Sequence, residues 1–116
     1  SIQKIIKNHW DNGGKIAAIC AAPALILGPL GIINGKEATG YPFLKDEFNR
    51  HGGIYSDRHT VSNGRLITSN GPGTTLEFAL AIVRETQGKE TETALRKGMV
   101  IQPCGCISTD DCHCTQ

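Results

Sequence analysis

KIAAICAAP, from Lys15 to Pro23, is the stretch on which the reading of this chain turns. Ile16, Ala17, Ala18 and Ile19 form an apolar run without alternation, the pattern of a parallel strand buried on both faces, with helices on either side. Ala21 and Ala22 then separate Cys20 from Pro23, and proline suits the first turn of a helix, where its missing N–H has no partner to lose. A strand that passes into a helix within so few residues bends sharply, and the residue at the bend projects from a strained backbone. Here that residue carries a thiol. Free N–H groups and the positive dipole end at a helix start favour thiolate over thiol, which makes Cys20 the candidate nucleophile. The competing reading is a buried cysteine at the end of a core strand.

Working outward, 116 residues suffice for one domain and one core. Twelve basic against eleven acidic residues leave a net charge of +1, so nucleic acid and anionic membranes are not expected as partners. Residues 16–33 carry no charge, but Pro23, Gly28, Pro29 and Gly31 interrupt them, which argues against a membrane span. The start lacks a basic region leading into an apolar block, so no secretory signal is expected. The chain begins at Ser1 rather than methionine, which suggests a fragment, a processed product or an incomplete sequence.

Ser1 is placed to cap a first helix in which Ile2, Ile5, Ile6 and Trp10 share one face, ended by Asn12-Gly13-Gly14. That stripe needs a sheet to cover, and His9 belongs to its solvated edge. After Cys20 a short helix is stopped by Gly28-Pro29, with Leu25, Ile26 and Leu27 as core contacts. Lys36 to Tyr41 reads as a short strand before Pro42, and Phe43 to Arg50 as one or two helical turns. Asn63-Gly64 between Val61 and Leu66-Ile67 predicts a hairpin over 60–69. His51 and His59 are candidate general bases for Cys20, though histidines beside glycines and charges are more often loop groups.

Asn70-Gly71-Pro72-Gly73-Thr74 is a glycine-rich loop leading into a helix, with Thr74 and Glu77 spaced as a capping box. It lacks the Lys-Ser/Thr pair of a phosphate-binding loop and the spacing of a dinucleotide fingerprint. A close backbone approach is expected instead, with Leu76, Phe78, Leu80, Ile82 and Val83 making the following helix largely buried. A polar helix from Glu90 to Lys97 carries Glu92 and Arg96 at the spacing of an exposed ion pair, and Met99-Val100-Ile101 reads as a last short strand. Beyond Pro103, Cys104, Cys106, Cys112 and Cys114 fall within eleven residues with His113 among them. Two CxC pairs are weak candidates for a thiophilic metal; a disordered tail of free or oxidised thiols is the simpler expectation.

Three strings together resemble a known family: AAICAAP at 17–23, TGYP at 39–42 followed by Leu44-Lys45-Asp46, and TSNGPGT at 68–74 leading into EFALAIV. In order and spacing they are similar to the ThiJ/PfpI superfamily, in the DJ-1 branch, whose members are described as glyoxalases, deglycases, oxidative-stress sensors and chaperones. The resemblance implies an α/β flavodoxin-like sandwich with a mostly parallel sheet, represented here by its C-terminal half over 1–102, with a Cys-rich tail at 103–116. It carries Cys20 over as nucleophile or oxidation site and Ala21 as the following amide donor, with Tyr41, Pro42, Gly71 and Pro72 lining the pocket. It also implies a homodimer in the full-length protein, needing no metal or organic cofactor; a cytoplasmic location is expected separately, from the lone core cysteine. The chain departs from the family in three ways. The family's first half, with the glutamate that hydrogen-bonds the thiol, has no counterpart here; the position before Pro42 is tyrosine where the human-type branch has histidine; and the cysteine tail has no family equivalent.

Three functions follow as expectations. The first is a cysteine-dependent glyoxalase or protein deglycase acting on methylglyoxal or early glycation adducts. The second is a redox-sensing, chaperone-like protein oxidised at Cys20. The third is a truncated, non-catalytic piece with an exposed sheet edge and an uncovered helix face. A reducing compartment is the default, since Cys20 has no cysteine partner in the matched region.

Overall fold

The apolar run Ile16–Ile19 (β1) pairs in parallel with Leu66–Ser69 (β5), Ile16 opposite Leu66 and Ile19 opposite Ser69. The hairpin predicted at Asn63-Gly64 is formed: Thr60–Asn63 (β4) runs antiparallel to β5, and Gly64 turns the chain at φ 62°. The computed structural model describes residues 1–101. Its first sheet has the order β1-β5-β4, and a second, parallel pair joins Glu37–Ala38 (β2) to Ile54–Tyr55 (β3). Four helices accompany the strands: α1 (Ile2–Asp11), α2 (Lys45–Arg50), α3 (Thr75–Gln87) and α4 (Lys89–Gly98). The result is the mixed α/β architecture with mostly parallel strands that was expected.

Strand alternation divides the core. Ala18 and Leu66 point to a cluster completed by Ala24, Leu27, Ile32, Ile33, Ala38 and Phe48, against which Ile6 and Trp10 of α1 also pack. Ile67, one residue on from Leu66, lies on the opposite face, the one α3 covers. β1 is not buried on both faces as expected: Ala17 is exposed, because β1 is the edge strand of its sheet and α3 spreads over β5 and β4.

Several apolar residues sit outside the core for related reasons. Ser1 caps α1 through Lys4 N–H at 3.4 Å, as expected, yet Ile2 and Ile5 are 74% and 69% exposed, since of the stripe it is Ile6 and Trp10 that pack against the core. In the turn after Cys20 Pro23, Ala24 and Leu27 are buried, while Leu25 and Ile26 are exposed. α3 buries Leu80 alone among the five residues expected to be covered. Met99-Val100-Ile101 is not a strand. Val100 N–H donates to the Lys97 carbonyl and Ile101 N–H to that of Arg96, at 3.1 and 2.9 Å, with Val100 at φ 57°. That is a Schellman ending of α4, which satisfies its last carbonyls locally.

The polar pairings also differ from the local pattern. Thr74 does not cap α3, because its hydroxyl donates to the Gly71 carbonyl instead. Glu77 turns to Arg96, which holds it at 2.8 and 3.2 Å while donating to Glu92 at 3.0 Å. The pair at Glu92 and Arg96 is therefore largely buried, with 8% and 15% of the side chains exposed, and ties α4 to α3. The hydrogen bond to Glu77, ahead of that to Glu92, raises the Arg96 pKa above the usual guanidinium value. No helix among the described residues is long and apolar enough to cross a membrane; the uncharged run 16–33 folds as strand, turn and loop.

Candidate active site

Cys20 follows β1 directly and sits at φ 62°, in the left-handed region that a residue with a Cβ rarely enters. Its two peptides are held from both sides. Cys20 N–H donates to the Ser69 carbonyl at 3.0 Å, which continues the β1–β5 ladder by one residue, and the Cys20 carbonyl accepts Tyr41 N–H at 2.6 Å. The chain then turns through Pro23–Leu27, a single π-helical turn closed by Gly28 N–H on the Pro23 carbonyl at 3.0 Å. π-type turns recur at functional sites because they displace the side chains around them. The elbow predicted from sequence is thus present, although the dipole expected behind it comes from one short turn. Cys20 is a free thiol of intermediate exposure, so the competing picture of a fully buried cysteine does not hold.

The other candidates converge on it from two loops. A Cβ placed on Gly71 would lie 3.9 Å from Cys20 Sγ and 3.9 Å from Tyr41 Cδ1, which sets the glycine-rich loop, the thiol and the tyrosine ring around one point. Pro42 begins the turn Pro42–Leu44 and Pro72 the turn Pro72–Thr74, so each proline ends one of these loops. Ala21 lies immediately after the thiol, and the peptide carrying its N–H is the one fixed by Tyr41 N–H. Gly40 passes close behind: a Cβ there would come within 3.3 Å of the Cys20 carbonyl oxygen and 3.2 Å of Pro23.

A polar scaffold that sequence reasoning missed locks these loops together. Asn70 Nδ2 donates to Thr39 Oγ1 at 2.7 Å and to the Gly40 carbonyl at 3.1 Å. Thr39 N–H donates to Thr68 Oγ1, its own hydroxyl donates to the Ser56 carbonyl, and Tyr55 OH donates to the Gly40 carbonyl. Thr39 and Thr68 are fully buried, so the bond between them is made away from water, while the bonds from Asn70 and Tyr55 and the one to Ser56 are part-buried. Asn70 and Thr39 stand within the quoted motifs, but their pairing across 31 positions has no local signal.

The histidines go elsewhere. His51 lies 3.5 Å from Glu47 and packs against Gly28, His59 uses its carbonyl to accept Asn70 N–H, and His9 plugs the turn at Gly14 while bonding the Lys15 carbonyl. Among the described residues no three His, Cys, Asp or Glu side chains are grouped to hold a metal ion. The metal candidates Cys104, Cys106, Cys112 and Cys114 lie outside the described residues. A polar crevice of about 180 Å³ between β4, α3 and α4, lined by Arg58, Ser62, Glu85 and Arg84 among others, includes none of the elbow residues.

The comparisons with known proteins agree with this fold. Protein dj-1beta of Drosophila melanogaster is 41% identical over 97 residues, covering 84% of this chain and 51% of the relative. A Caenorhabditis elegans relative named glutathione-independent glyoxalase DJR-1.2 is 38% identical over 100 residues, covering 86% of this chain and 53% of its own length. The crystal structure of the Drosophila protein superposes with a TM-score of 0.79 at 40% identity, over 87% of this chain and 54% of that one. Oxidized DJ-1 of Toxoplasma gondii superposes at 0.76 with 30% identity, over 84% of this chain and 52% of that one. The chain spans about half the length of these relatives. With residues 1–85 matched by the DJ-1/PfpI family, this chain belongs to that family.

Proposed function

We propose that this chain carries the reactive centre of a cysteine-dependent glyoxalase or protein deglycase, acting on methylglyoxal or early glycation adducts in the oxidative-stress response. The observation that carries the reading is Cys20: a free, half-buried thiol at φ 62° beside Gly71 and Tyr41. The sulfur adds to the aldehyde carbon, the carbonyl π pair moves to oxygen, and that oxygen takes the thiol proton to give a hemithioacetal. Transfer of the proton from that carbon to its neighbour through an enediol yields a thioester, and water releases a 2-hydroxy acid and restores the thiol. No glutathione enters this scheme, in keeping with the name of the nematode relative. Because the chain spans about half of its relatives, the activity is proposed for the whole family domain, as a cytoplasmic homodimer. Methylglyoxal consumption, followed as loss of the dicarbonyl, is expected to fall about 100-fold or more in Cys20→Ala and Cys20→Ser. Turnover that survives both substitutions overturns the reading.

A second reading, a redox sensor, is favoured by one observation. Cys20 is the sole cysteine before Cys104, so an oxidised sulfur there has no neighbouring thiol in the matched region and stops at sulfenic or sulfinic acid. Mass spectrometry after mild peroxide is expected to find oxygen on Cys20 ahead of the tail cysteines; equal labelling of all five removes this reading.

A further inference from the structure

We infer that the Cys20 site selects aldehydes bearing an aromatic substituent, with Tyr41 and Phe43 as the residues that set this preference. The inference rests on the reactive thiol proposed above and names the substrate class that its surroundings favour. Tyr41 and Cys20 Sγ flank the same point above Gly71, each 3.9 Å from it, so a group bonded to the sulfur is within reach of the tyrosine ring. Tyr41 in turn meets Phe43 edge-on, with ring centroids 5.4 Å apart at 62°. Phe43 is 86% exposed, more than any other large apolar side chain among the described residues, and its aromatic neighbour is Tyr41. Two aromatic rings inclined at 62°, one of them beside the thiol and the other largely exposed, form a surface against which a third ring can pack offset or edge-on. A bare methyl group engages neither. Tyr41 keeps its backbone bond to the Cys20 carbonyl whatever its side chain, so the ring is free to serve selectivity.

The covalent step is the same addition: the thiol S–H adds across the aldehyde C=O, the new S–C bond placing the substituent toward Tyr41. Two measurements on the whole chain test it. The first compares kcat/KM for phenylglyoxal and methylglyoxal; the second compares second-order alkylation of Cys20 by N-phenyl-iodoacetamide and iodoacetamide, in which sulfur displaces iodide, read on the Cys20 peptide with glutathione as reference. The aryl-to-alkyl ratio at Cys20 is expected to exceed that of glutathione by roughly three- to tenfold, and to fall back toward it in Phe43→Ala and Tyr41→Leu. A ratio equal to that of glutathione, or one unchanged by both substitutions, overturns the inference. Because alkylation requires no turnover, an intact aryl preference with neither aldehyde consumed removes the glyoxalase reading and leaves the aromatic wall standing. Methylglyoxal turnover without any aryl preference does the reverse.

Discussion

At Cys20 the backbone carries a cost that its side chain has to justify. A residue with a Cβ in the left-handed region is disfavoured by roughly 1–2 kcal/mol, and the conformation persists because Ser69 and Tyr41 fix the peptides on either side. Glycine has no such penalty. Cys20→Gly is therefore expected to be more stable than Cys20→Ala by about 1 kcal/mol in chemical denaturation, both lacking the thiol. Equal stability of the two variants would mean that the elbow is not strained. The position was legible from sequence because the signal is local: an apolar run, two small residues and a proline. The scaffold behind it was not, since Asn70 and Thr39 are 31 positions apart and each alone reads as an ordinary loop residue.

Among the elements, the join between α3 and α4 depends on one cation. Arg96 lies between Glu77 of α3 and Glu92 of α4, all three side chains less than a fifth exposed. Arg96→Met leaves two carboxylates with little access to water and is expected to lower stability by about 2–4 kcal/mol, measured by urea denaturation. Arg96→Lys recovers only part, because an ammonium cannot reproduce the two parallel bonds to Glu77. The sign of the pH dependence follows from the raised Arg96 pKa: this contribution is full below the ordinary guanidinium range and fades only as pH climbs through the higher folded value. The loss attributable to Arg96→Met is accordingly expected to be flat in Arg96 protonation across neutral pH. The i,i+4 spacing announced Glu92 with Arg96, but α3 brings Glu77 to it across 19 positions, and that third member is what buries the pair.

For the molecule as a whole, the three-stranded sheet ends at β1, with Ala17 exposed on its edge and Ile2 and Ile5 uncovered on α1. Unpaired strand edges and contiguous apolar faces favour association. Concentration-dependent self-association is expected in sedimentation velocity, weakened by Ile5→Lys, while that substitution, on a 69% exposed side chain, shifts folding stability by less than about 0.5 kcal/mol. A chain that stays monomeric at every concentration would show that these surfaces do not associate. By itself the sequence determined the elements written in short-range pattern: the α1 cap at Ser1, the elbow at Cys20, the Asn63-Gly64 hairpin, and through its three motifs the family. Only the tertiary structure decided which apolar faces are covered, that α4 closes in a Schellman turn instead of a strand, and that Tyr41, Gly71 and Cys20 surround one point. The reason is physical: backbone propensity is a property of neighbours in the chain, whereas burial and the meeting of loops depend on which distant elements arrive to pack against them.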